Sequence, residues 1–318
     1  MNLISKDLSK AISLLNNDAL IAIPTETVYG LAGNIYSKKA IKAIFEIKKR
    51  PFFNPLIVHI PTIHDISKIV EYVPKKAQLL AEAFWPGSIT LVLKKKSTIP
   101  DMITAGKNTV AVRVPNHPLT LDLLNQLDFP LAAPSANPFG SISSTKPHHV
   151  KSYFKEQIQM ILDGGTCKSG IESTIIGFDN NDPIIYRLGS TPVEAIEAVV
   201  GEIKIKNKKE NTPDAPGMLE RHYAPKTTTV LTGNVLESVT KYSNKRIGVL
   251  VFYLEIDYDC ITSQIVLSKT RDLKEAASNL YAALHQLDKE NLDIIIAEKF
   301  PDLGLGRSIN DRLQRATK

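Results

Sequence analysis

The stretch KKRPFFNPLIVH, residues 48–59, sets three cations against a proline-framed turn and a strand-like run ending on a histidine. A cluster of like charges costs self-repulsion unless something anionic neutralises it, so the chemistry it suggests is anion binding. Lys48 and Lys49 end a helical pattern, where cations also meet the helix dipole favourably. Arg50 stands just before Pro51, which forces its backbone out of the helix and aims the guanidinium toward the next strand. His59, taken alone, reads as a core histidine rather than a catalyst.

Five further places carry polar groups at the ends of strand-like runs, where open α/β domains build their sites. PTETVYG (24–30) offers two readings: Glu26 and the threonines cap a helix and form a turn, or they rim a polar substrate with hydroxyls. In NTVAVRVP (108–115), alternation puts Val110, Val112 and Val114 on one face and Thr109, Ala111 and Arg113 on the other. A buried Arg113 needs an anionic partner, structural or substrate, and the substrate is the favoured reading. APSANPFGSISST (133–145) is a strand followed by small hydroxyl residues, able to offer N–H and O–H groups to phosphates without adding charge. GGTCKSGIESTI (164–175) and YRLG (186–189) contribute Ser173 before a strand and Arg187 near the end of one. Read singly, those two residues and the 133–145 loop are ordinary surface features. The chain has no G-x-x-x-x-G-K-[ST], no G-x-G-x-x-G and no G-x-S-x-G. An enzyme built from this inventory does not work through an activated serine or cysteine.

The elements that must position these residues follow from periodicity. ALIAIP, LIVHI, ITLVL, TVAVRV, LAAPSA, MILDG, TIIGF and PIIYRL read as strands. SKKAIKAIFEIKK, TIHDISKIVEY, HPLTLDLLNQL, STPVEAIEAVV and the N-terminal MNLISKDLSKAISLLNND have the three-to-four spacing of amphipathic helices. This is an α/β domain around a twisted sheet. From about residue 204, KIKNKKENTPDAPGMLERHYAPKT is poor in apolar residues and reads as an extended, exposed linker. TTVLTG, RIGVLVFY, QIVLSK, DLKEAASNLYAALHQL, DIIIAEKF and SINDRLQRA then describe a smaller α/β domain, with the acidic EIDYDC as a solvated loop. The division expected is 1–203, a linker at 204–226, and 227–318.

A chain of 318 residues is comfortable for two domains, and a net charge of +6 suits anionic partners, nucleotide or nucleic acid. Cys167 and Cys260 form no C-x-x-C and have no histidine at metal-ligand spacing, so a disulfide framework and a structural zinc are not expected. A reducing cytoplasm is the default location. No apolar run is long enough to span a bilayer, and the N-terminus lacks the basic start and unbroken apolar stretch of a secretory signal.

PTETVYGLAG, KKRPFFNPLIVHI, APSANPFGSIS, DGGTCKSGIESTI and RHYAP, in this order, resemble the Sua5/YrdC/YwlC family, the threonylcarbamoyl-AMP synthases of tRNA modification. PGMLERHYAP and the tail ending LGRSINDRL resemble its long, two-domain Sua5 branch, so the likeness covers nearly the whole chain. It implies a YrdC-like twisted mixed sheet followed by a Rossmann-like Sua5 domain. It implies synthesis of L-threonylcarbamoyladenylate from L-threonine, bicarbonate and ATP with release of pyrophosphate, and no protein nucleophile. Mg²⁺ is expected on the ATP phosphates, and downstream transfer proteins and tRNA are indirect partners.

Carried over residue by residue, the resemblance implies an ATP side of Lys48, Arg50, Asn54, Thr109, Ser135, Ser143 and Arg187. Its threonine side is Thr27, His59, Arg113, Ala133 and Ser173. In the family the RHYAP segment folds back over the site, which would bring His222 and Tyr223 over the nucleotide. Phe139 and Ser144 stand where the family loop carries a serine and a proline, leaving Ser141 or Ser143 to supply that hydroxyl. The competing class is an RNA-gripping module, which would spread cations and stacking aromatics along one face.

Overall fold

The computed structural model describes residues 3–206 and 222–317. Among them, eleven strands make one mixed sheet: β1 (Ile4–Ser5), β2 (Ile21–Ile23), β3 (Gly30–Asn34), β4 (Ile57–His59), β5 (Ile89–Lys94), β6 (Thr109–Arg113), β7 (Leu131–Ala132), β8 (Met160–Leu162), β9 (Thr174–Asp179), β10 (Asp182–Arg187) and β11 (Lys204–Ile205). Their order is β1-β8-β2-β3-β7-β4-β6-β5-β9-β10-β11. The alternation in β6 holds: Val110, Val112 and Val114 join the main core, while Ala111 packs on the other face with Ile57, Val92 and Ile175.

Helix Lys38–Lys48 covers the sheet with Ile41, Ile44 and Phe45, and Ser37 caps it by accepting from the Ala40 N–H. It stops where Lys49 turns left-handed at φ 51° ahead of the Arg50–Pro51 step. That stop swings Arg50 back over the approach to β4.

Several elements differ from the sequence reading. TIHDISKIVEY yields only a 3₁₀ turn at Ile63–Asp65 and one α-turn at Ile66–Ile69. Helices Lys75–Phe84, Pro147–Phe154 and Val235–Lys241, and strands β1, β3 and β11, were not anticipated. β3 hides because two of its five residues are glycine, which weakens a strand pattern. Packing requires them: a Cβ on Gly33 would lie 2.8 Å from the Leu20 side chain. PTETVYG starts no helix; it is the turn between the antiparallel β2 and β3, held by Thr25 Oγ1 bonds to the N–H groups of Thr27 and Val28. β11 pairs with β10, so the first sheet runs into the stretch read as linker. Residues 207–221 of that stretch, Arg221 included, lie outside the described residues. Its far end is docked: Ala224 bridges Ser141, and its N–H donates to Gly140 O at 2.8 Å.

The second sheet is parallel throughout, β12 (Thr228–Thr232), β13 (Ile247–Val251), β14 (Ile261–Val266) and β15 (Ile294–Glu298), in the order β12-β15-β13-β14. EIDYDC is a loop, as expected, although Ile256 packs against the core. Helices Leu273–Leu287 and Leu305–Ala316 join a cluster that also takes in Val28, Ile142, Ile171 and Tyr223. The two sheets therefore meet through a shared apolar seam. Gly170, at φ 72°, permits a close approach, since a Cβ there would lie 2.4 Å from the Ser278 backbone.

The seam also stacks two imidazoles, His149 on His285, with centroids 3.9 Å apart. His149 Nδ1 accepts from the Thr145 N–H at 3.3 Å, and His285 Nε2 lies 3.1 Å from Ser143 O. Burial, then the His285 charge, lowers His149 to about 2; burial, aided by Lys289 and opposed by the Ser143 bond, lowers His285 to about 4. Both folded values lie below the unfolded one, so their contribution is fully present above about pH 6.5. It falls away as the pH drops below about 6.5, the loss ending near 4 for His285 and near 2 for His149. Denaturant titrations should show wild-type stability declining between pH 6.5 and 4, and His285→Gln flattening that decline; parallel slopes would count against the linkage.

Candidate active site

Where β4, β6 and β10 end and β9 begins, loops 24–30, 50–55, 133–135 and 172–173 surround a cleft with about 580 Å³ of empty space, its open mouth included. Thr27, Arg50, His59, Arg113, Ala133, Ser135, Ser173, Arg187, His222 and Tyr223 line it, so most of the sequence candidates converge. Lys48, Asn54 and Ser143 stand behind its wall. Lys48 Nζ donates to Ser135 O at 2.6 Å and to Asn137 O. Asn54 Oδ1 accepts from Arg50 at 2.7 Å, and Ser143 Oγ donates to Glu172 at 2.6 Å. Thr109 is the exception. It begins β6, four residues or about 13 Å of strand from Arg113, and does not line the cleft.

The electrostatics divide the cleft in two. On one side, Lys48, Arg50 and Arg187 are 1%, 7% and 4% exposed. Burial and the Arg50 charge push Lys48 well below the lysine range. Burial, then Arg187, lowers Arg50 to about 9, and burial lowers Arg187 as well. His222 is held well below the usual imidazole value, first by burial and then by Arg50, Lys48 and the nearby arginines. The only carboxylate lining the cleft among the described residues is Glu172, and it is engaged elsewhere. Its oxygens accept from Ser143 Oγ, from Tyr281 OH at 2.9 Å and from Arg312 Nε at 2.9 Å. Burial works to raise its carboxyl, but Arg312 and Arg187 outweigh that and hold it below the usual range. Asn54 Nδ2, His222 Nδ1 and Tyr223 OH are buried without a hydrogen-bond partner among the described residues. Tyr223 holds a left-handed backbone at φ 64°, a conformation uncommon outside glycine and concentrated at functional sites. Buried positive charge with unsatisfied polar atoms is a setting for a polyanion.

On the other side, Arg113 has a partner that the sequence reading did not favour. Its Nη2 meets Glu26 Oε1 at 2.6 Å as an ion pair off hydrogen-bond alignment, while Nη1 donates to Thr27 Oγ1 and Nε to Gly87 O, each at 3.0 Å. Glu26 thus completes a structural pair instead of capping a helix. His59 packs beside Arg113, and burial followed by that charge lowers it to about 3, so the imidazole is neutral at physiological pH. Ser173 Oγ is 2.7 Å from Thr90 Oγ1 and accepts from Arg187 Nη2 at 3.1 Å, which joins the two halves. A neutral imidazole, hydroxyls and a braced guanidinium suit a small polar molecule with a carboxylate.

Glu172, Tyr281 and Arg312 escaped the sequence reading. One signal was available: Leu305, Ser308, Ile309, Arg312, Leu313 and Ala316 form a single buried stripe at helical spacing, which places an arginine among core positions.

The fold and site define an α/β protein with a buried cleft that is cationic on one side and lined by a neutral imidazole, hydroxyls and a braced guanidinium on the other. A family model described as telomere recombination, the Sua5/YciO/YrdC model, matches residues 13–189, and the model of the threonylcarbamoyl-AMP synthase C-terminal domain matches 191–317. The chain belongs to the Sua5/YciO/YrdC family. It is 39% identical to the threonylcarbamoyl-AMP synthase of Pyrococcus abyssi over 321 residues, covering 96% of this chain and 93% of that one. It is 38% identical to the threonylcarbamoyl-AMP synthase of Bacillus subtilis, covering 97% and 92%. The crystal structure of P. abyssi Sua5 complexed with L-threonine superposes with a TM-score of 0.91 at 38% identity, over 100% of this chain and 97% of that chain.

Arg50 is buried just past the helix end and donates to Asn54 O, Asn54 Oδ1 and Pro55 O. Arg50→Ala should therefore cost about 1–3 kcal/mol of stability by leaving buried acceptors unpaired, as well as weakening anion binding. Denaturant unfolding measures the first effect, and an unchanged midpoint would contradict the buried geometry.

Proposed function

We propose that this chain makes L-threonylcarbamoyladenylate from L-threonine, bicarbonate and ATP. The observation that carries the proposal is the divided cleft, with Lys48, Arg50 and Arg187 on one side and Thr27, His59 and Arg113 on the other. Near full-length similarity to proteins named threonylcarbamoyl-AMP synthase supports it. The threonine nitrogen bonds to the carbon of CO₂ or bicarbonate, and water leaves in the latter case. A carbamate oxygen then bonds to the ATP α-phosphorus as the Pα–O bond to pyrophosphate breaks. No protein nucleophile is required.

The residues' work is to hold two anions together and stabilise charge on the departing pyrophosphate. Arg50 and Arg187 face the triphosphate, with Lys48 behind them fixing the Ser135 loop. Arg113 presents its guanidinium to the threonine carboxylate, and neutral His59 and Thr27 bond the polar groups of the amino acid. His222 and Tyr223 form the wall that keeps water from the mixed anhydride. No group of three or more potential metal ligands gathers among the described residues, and Glu172 is spoken for. This donor set fits Mg²⁺ carried in on the phosphates, where it would neutralise charge, better than a protein-held ion.

The product would feed transfer proteins that build threonylcarbamoyladenosine at position 37 of tRNAs, in the cytoplasm. No helix among the described residues is long and apolar enough to cross a membrane. An RNA-gripping role is disfavoured because the notable cations are buried in one cleft instead of spread over a face.

Purified protein should release pyrophosphate from ATP only when threonine and bicarbonate are both present. Serine loses a methyl contact worth roughly 1–3 kcal/mol, whereas valine leaves a hydroxyl-binding group unpaired, so valine should be rejected more strongly. Equal turnover of valine and threonine would defeat this assignment of the amino-acid side.

A further inference from the structure

Arg312, on helix Leu305–Ala316 of the second domain, is among the largest fully buried side chains of the protein. It reaches across the seam with its whole fork. Nε donates to Glu172 Oε2 at 2.9 Å, Nη2 donates to Leu188 O at 2.7 Å, and Nη1 pairs with Asp311 at 2.7 Å. Its guanidinium carbon lies 5.0 Å from the centre of the Tyr223 ring. Glu172 in turn accepts from Ser143 Oγ, and Leu188 directly follows Arg187. One side chain thus grips the loop that holds Ser143, the strand end that carries Arg187, and the ring of Tyr223. The same helix adds Ser308 Oγ to Gly189 O at 2.8 Å, and its Arg315 carbonyl accepts from the His222 N–H at 3.1 Å. Tyr281 supplies the third donor to Glu172.

The groups on the other side of the cleft are tied differently. Arg113 is braced by Glu26, Thr27 and Gly87, and Ser173 contacts Thr90 and accepts from Arg187, all within the first domain. Second-domain contacts are concentrated on one half of the cleft. A buried carboxylate stripped of its arginine is left without its ion-pair partner, and the other cation whose charge acts on it is Arg187.

We propose that Arg312, assisted by Tyr281, is a positioning residue for the nucleotide: it touches no substrate, but by neutralising Glu172 and holding Leu188 it sets Ser143, Arg187 and Tyr223 for ATP. The second domain would then act as the back wall of the ATP side. This rests on the ATP-dependent reading of the cleft, and wild-type pyrophosphate release with threonine and bicarbonate tests that reading by itself.

The test compares KM for ATP and for threonine in Arg312→Lys, Tyr281→Phe, Arg312→Met and the double variant Arg312→Met with Glu172→Gln. Lysine keeps the charge but cannot reach both Glu172 and Leu188 with a fork. Arg312→Lys should raise KM for ATP roughly tenfold and leave KM for threonine within about twofold, with Tyr281→Phe a milder version of the same split. The double variant should regain part of what Arg312→Met loses, because it removes the stranded carboxylate. If Arg312→Met does not fold, recovery of folded protein in the double variant reads the same coupling. A wild-type KM for ATP in Arg312→Lys, an equal rise for both substrates, or a double variant no better than Arg312→Met would overturn the proposal.

Discussion

Lys48, Arg50 and Arg187 are buried around one cleft whose lining holds a single carboxylate among the described residues, and that carboxylate belongs to Arg312. Each cation is taken out of water at a cost, and their mutual repulsion adds to it. Backbone carbonyls meet part of the need, those of Asn54, Pro55, Ser135, Asn137 and Ser173. They are dipoles, not charges, and leave the cleft positive. The rest of the architecture follows from keeping these cations in place: a helix that ends at Lys48, a proline that turns Arg50 back, and strand β10 delivering Arg187.

The two domains divide that labour. The first sheet braces the small-ligand side from within, through the Arg113–Glu26 pair and the Thr25 turn. The second domain closes the cationic side with two helices whose polar side chains cross an otherwise apolar seam. A neutral histidine pair and a glycine at φ 72° let that seam close tightly. The cationic half thus draws on both domains: first-domain carbonyls hold its cations, and second-domain side chains hold Glu172 and Leu188 behind them.

Much of this was legible in the sequence. The strands carrying His59, Arg113, Ser173 and Arg187 have clear apolar patterns, and their ends place these residues where sites are built. Proline 51 betrayed the turn that redirects Arg50. What stayed hidden depends on distant partners: Glu172 and Arg312 are 140 residues apart, and Glu26 looked like a helix cap because its arginine lies on another strand. Local spacing carries no information about such pairs. Burial of Arg50 escaped for the same reason, since its acceptors are backbone carbonyls that no residue pattern marks. Thr109 illustrates the converse: it shares a face with Arg113, yet face alone does not bring it to the cleft.

The central claim is that the cleft holds buried positive charge in want of a polyanion. Calorimetry of ATP, ADP, AMP and adenosine binding addresses it directly, because these ligands differ in the phosphate charge they bring to Lys48, Arg50 and Arg187. Affinity is predicted to fall as phosphates are removed. Equal affinity for ATP and adenosine, or no binding of ATP, would contradict the account.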